Sequence, residues 1–152
     1  MTTYFSTIHV DVPPEVAFGQ VVELMMKSSG RTRCTVLEAP PEGVGTKFRY
    51  EYRLFGHDIG GTCTLTEYVP NTTVTFQWHG PERFAVGDLR GVWAFTPDGS
   101  GTTITVQSIF EPRFPILHAL AARAMIRGFR KTELPTMKAE MESRSRGAQP
   151  AS

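Results

Sequence analysis

Residues 46–55, TKFRYEYRLF, alternate without interruption: Phe48, Tyr50, Tyr52 and Leu54 fall on one side of an extended chain, and Lys47, Arg49, Glu51 and Arg53 on the other. A period of two with one apolar and one charged face describes a strand covered on one side only, which is the habit of antiparallel sheets. The same period continues on both flanks. Downstream, IGGTCTLTEY (59–68) groups Ile59, Cys63 and Leu65, with Gly60 and Gly61 the expected site of a bulge. TTVTFQW (72–78) groups Val74, Phe76 and Trp78, and residues 83–96 group Leu89, Trp93 and Phe95. TTITVQSIF (102–110) groups Ile104, Val106, Ser108 and Phe110. Upstream, RTRCTVLE (31–38) is a strand, and YFSTIHVDV (4–12) places Ile8, Val10 and Val12 together. Turns are expected at PPEGVG (40–45), Phe55–Asp58, Pro70–Asn71, His79–Glu82 and Pro97–Gly101, giving seven strands joined mostly by short reversals.

Two segments change period. After Pro13 and Pro14, EVAFGQVVELMM (15–26) sets Ala17, Val21, Leu24 and Met25 at helical spacing, so that one short amphipathic helix, or two short helices with a break near Gly19, follow strand one. From Pro115 to about Arg144 the apolar positions Leu117, Leu120, Ala121, Ala124, Met125, Gly128 and Thr132 describe one long amphipathic helix, with Arg123, Arg127 and Arg130 on its opposite side. Pro135 is expected to kink it, and Met137 and Met141 carry the apolar side onward. The polar end, SRSRGAQPAS (143–152), is expected to fray, leaving one domain over residues 1–145 and a disordered tail over 146–152. The order of elements is that of an α+β fold in which a long helix covers one face of an antiparallel sheet.

Composition narrows the function classes. Lys plus Arg number 16 and Asp plus Glu 15, a net charge of +1, without the basic excess of a nucleic-acid binder. No apolar run approaches the ~18 residues of a membrane span, and Met1–Ser6 lacks the features of a signal peptide, so the expected location is the cytoplasm, without stable membrane insertion. Cys34 and Cys63 stand alone among β-forming residues and are expected to be small buried hydrophobes rather than a disulfide or metal pair. The chain carries no GxGxxG, no GxxxxGKS, no GxSxG and no HExxH, so neither a nucleotide cofactor, a serine nucleophile nor a metal is expected.

IHVDVPPEVAF (8–18), the GVGT turn (43–46), TLTEYVPNTTVTF (64–76) and FTPDGSGTTITV (95–106) together resemble the bacterial polyketide cyclase/dehydrase and lipid-transport-like branch of the SRPBCC superfamily. That superfamily also holds the START lipid-transfer domains and the Bet v 1-like pollen allergens. The resemblance implies a helix-grip fold, a seven-stranded antiparallel sheet wrapped around a long C-terminal helix, with an apolar pocket between them. It implies no catalytic residue, because these motifs mark turns and core.

Strand alternation supplies the candidate pocket lining: Phe48, Tyr50, Tyr52, Phe76, Trp78, Trp93 and Phe110, opposed on the helix by Leu117, Leu120, Ala121, Ala124 and Met125. So many rings suit a flat or apolar ligand, with tyrosine hydroxyls and indole N–H groups to orient it. Three functions compete: binding or transport of a lipid, polyketide or aromatic metabolite; a cofactor-independent aromatase/cyclase or dehydratase using Tyr50, Tyr52 or His79; and a filled core whose helix face, marked by Arg123, Arg127 and Arg130, binds a partner protein. His9 and His57 read as surface residues, while His79 and His118 could reach a pocket mouth. The protein is expected to be a monomer or homodimer.

Overall fold

The computed structural model describes residues 2–27, 32–54, 57–80, 88–111 and 115–148. Strands β1 (Thr2–Val10), β2 (Thr32–Glu38), β3 (Lys47–Leu54), β4 (His57–Val69), β5 (Thr73–His79), β6 (Leu89–Asp98) and β7 (Gly101–Phe110) form one seven-stranded sheet in the order β1-β7-β6-β5-β4-β3-β2. Every neighbouring pair is antiparallel. The first half of the strand expected over 83–96 falls at residues 81–87, outside the described residues.

The expected bulge at Gly60 and Gly61 is absent: β3 and β4 pair in unbroken register from Lys47↔Thr64 to Leu54↔His57. The register shifts instead between Leu65 and Glu67 against β5. One extra residue there changes which face the chain presents, so Leu65 and then Tyr68 both join the core. Tyr68 meets Phe18 edge-on at a centroid distance of 5.1 Å. The GVGT turn lies beside it, stitched to β4 by Gly45 N–H to Leu65 O and Leu65 N–H to Thr46 O. Gly43 has φ +84°, and a Cβ there would strike the Tyr68 ring at 2.7 Å, so the position requires glycine for two separate reasons.

Of the two alternatives, one helix or two broken near Gly19, the described residues show one, α1 (Pro14–Met25). Pro14 occupies its first turn, where the missing N–H costs nothing, and the helix runs straight through Gly19 because Ala17, Phe18 and Val21 are buried against the sheet. Phe18 touches Phe95 at 5.2 Å as well as Tyr68, which pins α1 to β6 and β4.

The C-terminal helical segment comprises α2 (Pro115–Gly128), a π turn (Phe129–Glu133) and α3 (Leu134–Ala148), carrying helix four residues beyond the expected end near Arg144. The π turn is how the chain accommodates Pro135. Proline offers no N–H to the preceding turn and crowds it, and the helix responds by widening, with Leu134 N–H bonding to Phe129 O.

The helix is fastened to the free edge of β1 by polar side chains. Arg130 Nη2 donates to Phe5 O at 2.6 Å and its Nε to Ser6 Oγ at 3.1 Å. Two turns on, Lys138 Nζ donates to His9 O at 2.7 Å, and the N–H of Asp11 donates to Glu142 Oε2 at 2.9 Å. Arg130, expected on the solvent side with Arg123 and Arg127, is therefore a structural clasp. Arg123 and Arg127 are exposed as expected. Arg144 reaches Glu23 of α1 at 3.0 Å, closing the far end. Sheet, short helix and long helix thus make an α+β helix-grip arrangement.

Phe18 is the residue on which this closure turns most directly. Phe18→Ala is expected to lower the unfolding free energy by about 3–5 kcal/mol in urea denaturation, the usual cost of an emptied aromatic site; a loss under about 1 kcal/mol would show that α1 is not anchored by this ring.

Candidate functional site

The face of the sheet turned toward the helices carries a panel of rings on β3 and β5. Trp78 is at its centre, edge-on to Tyr50 at 4.8 Å and to Phe48 at 5.5 Å, and roughly stacked with Phe76 at 6.4 Å. These geometries favour the ring quadrupoles beyond simple burial. Phe48 and Phe76 are fully buried, whereas Tyr50 and Trp78 are half-buried. Tyr52 follows on the same strand face by alternation, and its side chain lies outside the described residues.

Tyr50 owes its position to a missing side chain. It pairs with Gly61 across β3 and β4, and a Cβ on Gly61 would lie 2.6 Å from the Tyr50 hydroxyl and against the carbonyl oxygen of His79. The glycine pair read as a bulge signal is therefore a floor for the Tyr50 ring.

Trp93 on β6 is buried and meets Phe129 of the π turn edge-on at 5.8 Å, linking sheet to helix beside the panel. Phe110 packs elsewhere, with Tyr4, Leu89, Ala122 and Ile126 at the α2 end. The helix face differs from expectation by one position. Among the described side chains of α2, Ala122 and Ile126 are buried, while Leu120 is 61 % and Met125 41 % exposed, and Ala124 is exposed too. The side chains of Leu117, His118 and Ala121 lie outside the described residues. Beyond α2 the helix contributes Phe129, Leu134, Met137 and Met141 to the core. Phe129, absent from the sequence-derived set, is brought to the inner side by the π turn, for which periodicity carries no signal beyond Pro135.

His79, one residue past Trp78, falls by alternation on the opposite face of β5, where its Nδ1 lies 3.4 Å from Asp88 Oδ2 and its side chain is half exposed. It is not brought together with Tyr50. His9 sits on the surface between Asp11 and Asp98, 3.2 Å from each, and the His57 side chain lies outside the described residues. Among the described residues no group of three His, Cys, Asp or Glu is placed to hold a metal, and no helix is long and apolar enough to cross a membrane.

Cys63 is buried beneath Phe48 and Trp78, with which it pairs across the neighbouring strands, and Cys34 is half-buried; neither forms a disulfide. Burial pushes both thiols up from their ordinary range, Cys63 far more, with a smaller contribution from Cys34. A separate groove of about 290 Å³ runs on the β1 flank of the helix, lined by Phe5, Ser6, Thr7, Ile8, Arg130 and Leu134. Its cation is already committed to the β1 backbone.

Over residues 1–142 the chain matches the family described as polyketide cyclase/dehydrase and lipid transport. Among curated proteins, none matches it by sequence. Solved structures share the fold at low identity. The ZhuI aromatase/cyclase from Streptomyces sp. R1128 is 17 % identical, with 99 % of each chain covered and a TM-score of 0.78. Ara h 8.0201 is 16 % identical, with 93 % of this chain and 98 % of that one covered and a TM-score of 0.72. The Aha1 dimer from Colwellia psychrerythraea is 15 % identical, with 93 % and 97 % covered and a TM-score of 0.60.

Two outcomes test this geometry. Cys63 should resist a thiol-specific disulfide reagent at pH 8 until the protein is unfolded, because only the thiolate reacts and burial disfavours it; rapid reaction in the folded state would mean that the panel does not cover it. Gly61→Ala should displace Tyr50 and cost about 1–3 kcal/mol by overpacking. A wild-type melting temperature and an unshifted tyrosine fluorescence for that variant would refute the floor assigned to Gly61.

Proposed function

Since the chain belongs to the polyketide cyclase/dehydrase and lipid transport family, we propose that it binds a small hydrophobic ligand, a lipid, polyketide or aromatic metabolite, between the inner sheet face and the C-terminal helix. The observation that carries the reading is the half-buried state of Tyr50 and Trp78 beside Phe48 and Phe76, the two rings of the same panel that are sealed. A filled core would seal all four. A ligand lying on the Trp78 ring removes apolar surface from water at about 25 cal/mol per Å², before the entropic cost of association is subtracted. Phe48, Phe76 and Trp93 then serve as the rigid backing, with Phe129 and Met137 as the helix-side contacts and the Tyr50 hydroxyl as a polar contact.

A second reading, an aromatase/cyclase or dehydratase, draws support from the fold shared with ZhuI, which is named for that activity, and from Tyr50 as the proton-handling group on the panel. His79, on the far face, does not support it.

Native mass spectrometry of gently purified protein, followed by denaturing extraction, tests the binding reading, which requires a releasable hydrophobic adduct or uptake of one from an added extract. An adduct altered in mass relative to the compound supplied would favour the catalytic reading. Trp78→Ala is expected to weaken binding of a neutral fluorescent probe such as N-phenyl-1-naphthylamine about tenfold or more, the value of one aromatic contact surface, with circular dichroism unchanged. Equal affinity in the variant would remove Trp78 from the site.

A further inference from the structure

The α2 helix is apolar on both sides. Ala122 and Ile126 mark the side it buries, against Phe110. At about 100° per residue, Leu120 and Ala124 stand about 160° around the helix from Ala122 and face away from the sheet. Ile116, Leu120 and Ala124, four residues apart, form one outward row, and all three are exposed. Ile116, at 78 %, is the most exposed large apolar side chain among the described residues. The core does not require an isoleucine and a leucine on this side of the helix, since Ala122 and Ile126 already supply its buried face.

Charge is sorted to the same place. Between Glu111 and Glu133 the sequence holds five cations, Arg113, Arg123, Arg127, Arg130 and Lys131, and no acid. Of the chain's 16 cations and 15 acids, eleven cations and all fifteen acids lie elsewhere, so a nearly neutral protein concentrates positive charge on this segment. Where the C-terminal helical segment meets β1 and α1 its cations are in use: Arg130 and Lys138 hold the β1 backbone, and Arg144 holds Glu23. Arg123 and Arg127 are exposed and make no hydrogen bond or ion pair among the described residues. They follow Leu120 and Ala124 by three residues and therefore line one flank of the apolar row.

We infer that this face of α2 docks the protein on the surface of an anionic membrane. Ile116 and Leu120 enter the headgroup boundary, Arg123 and Arg127 meet the lipid phosphates, and the helix lies in the plane of the interface without crossing it. The chemistry of the face favours lipid over two other occupants. A second copy seated on the same row by two-fold symmetry would bring Arg123 and Arg127 of each chain together, with no acid in α2 to offset them. A specific protein partner reads rings and hydrogen-bonding groups, and Ile116, Leu120 and Ala124 offer neither. A fluid bilayer needs only an apolar edge and positive charge beside it. This docking goes beyond the ligand-binding function and does not depend on it.

Co-sedimentation of the full chain with phosphatidylcholine vesicles, with and without phosphatidylserine at about one lipid in three, tests the assignment. The wild type should pellet with the anionic vesicles, much less with the neutral ones, and be released at about 0.5 M salt. Removing both free cations in Arg123→Gln/Arg127→Gln should weaken partitioning about twentyfold, and Ile116→Ser/Leu120→Ser about tenfold, with circular dichroism and melting temperature unchanged because all four side chains are exposed. Arg33→Gln/Arg90→Gln removes the same charge from exposed positions on the sheet and should stay within about twofold of wild type. An equal loss in that sheet pair would overturn the assignment, because net charge rather than α2 would then drive binding. So would wild-type partitioning in both α2 pairs, or a wild type that ignores anionic vesicles. Without vesicle binding, retention on immobilised poly-L-glutamate that Arg123→Gln/Arg127→Gln abolishes would give the face to an acidic protein instead. A dimer dispersed by Ile116→Ser/Leu120→Ser would give it to a second copy.

Discussion

The carbonyls of Phe5 and His9 project from the unpaired edge of β1, and the C-terminal helix supplies the cations that take them, Arg130 and Lys138. This clasp decides where the helix crosses the sheet. An edge strand left bare would be a template for pairing with another chain, so covering it also serves solubility. With Glu142 accepting from Asp11 N–H, the long helix is tied to β1 through side-chain to backbone bonds rather than through apolar burial alone. A helix secured at one edge can leave the inner face of β3 and β5 uncovered, and it is there that the half-buried Tyr50 and Trp78 lie.

The π turn has a comparable reach. Pro135 forces a wider turn, and this places Phe129 on Trp93. That contact thus traces back to one residue that cannot donate a hydrogen bond. The thiol of Cys63, sealed beneath Phe48 and Trp78, is a group kept inert by packing.

Family membership and fold agree with a pocket-forming architecture, but the same fold serves proteins as different as an aromatase/cyclase and Ara h 8.0201. Function therefore has to be argued from the side chains that line the space. Here the inner sheet face offers a tryptophan-centred panel and a tyrosine seated over a glycine.

Much of this was legible in the chain itself. The period-two alternation of TKFRYEYRLF and its neighbours determined the strands and their inner face, because a sheet with one covered side sorts residues by parity, and Phe48, Tyr50, Phe76, Trp78 and Trp93 all lie where parity puts them. The long helix was legible as a helix but not in its phase. Apolar residues at 116, 117, 120, 121, 122, 124, 125 and 126 nearly encircle α2, so periodicity could not choose Ala122 and Ile126 over Leu120 and Met125. Gly60 and Gly61 read as a bulge because a glycine pair is silent about whether it bends the backbone or makes room for a ring. Only the tertiary structure decided the clasp of Arg130 on β1, the seat of Tyr50 on Gly61 and the contact of Phe129 with Trp93. Each depends on a partner distant in sequence or on a change of helical pitch, and local pattern records neither.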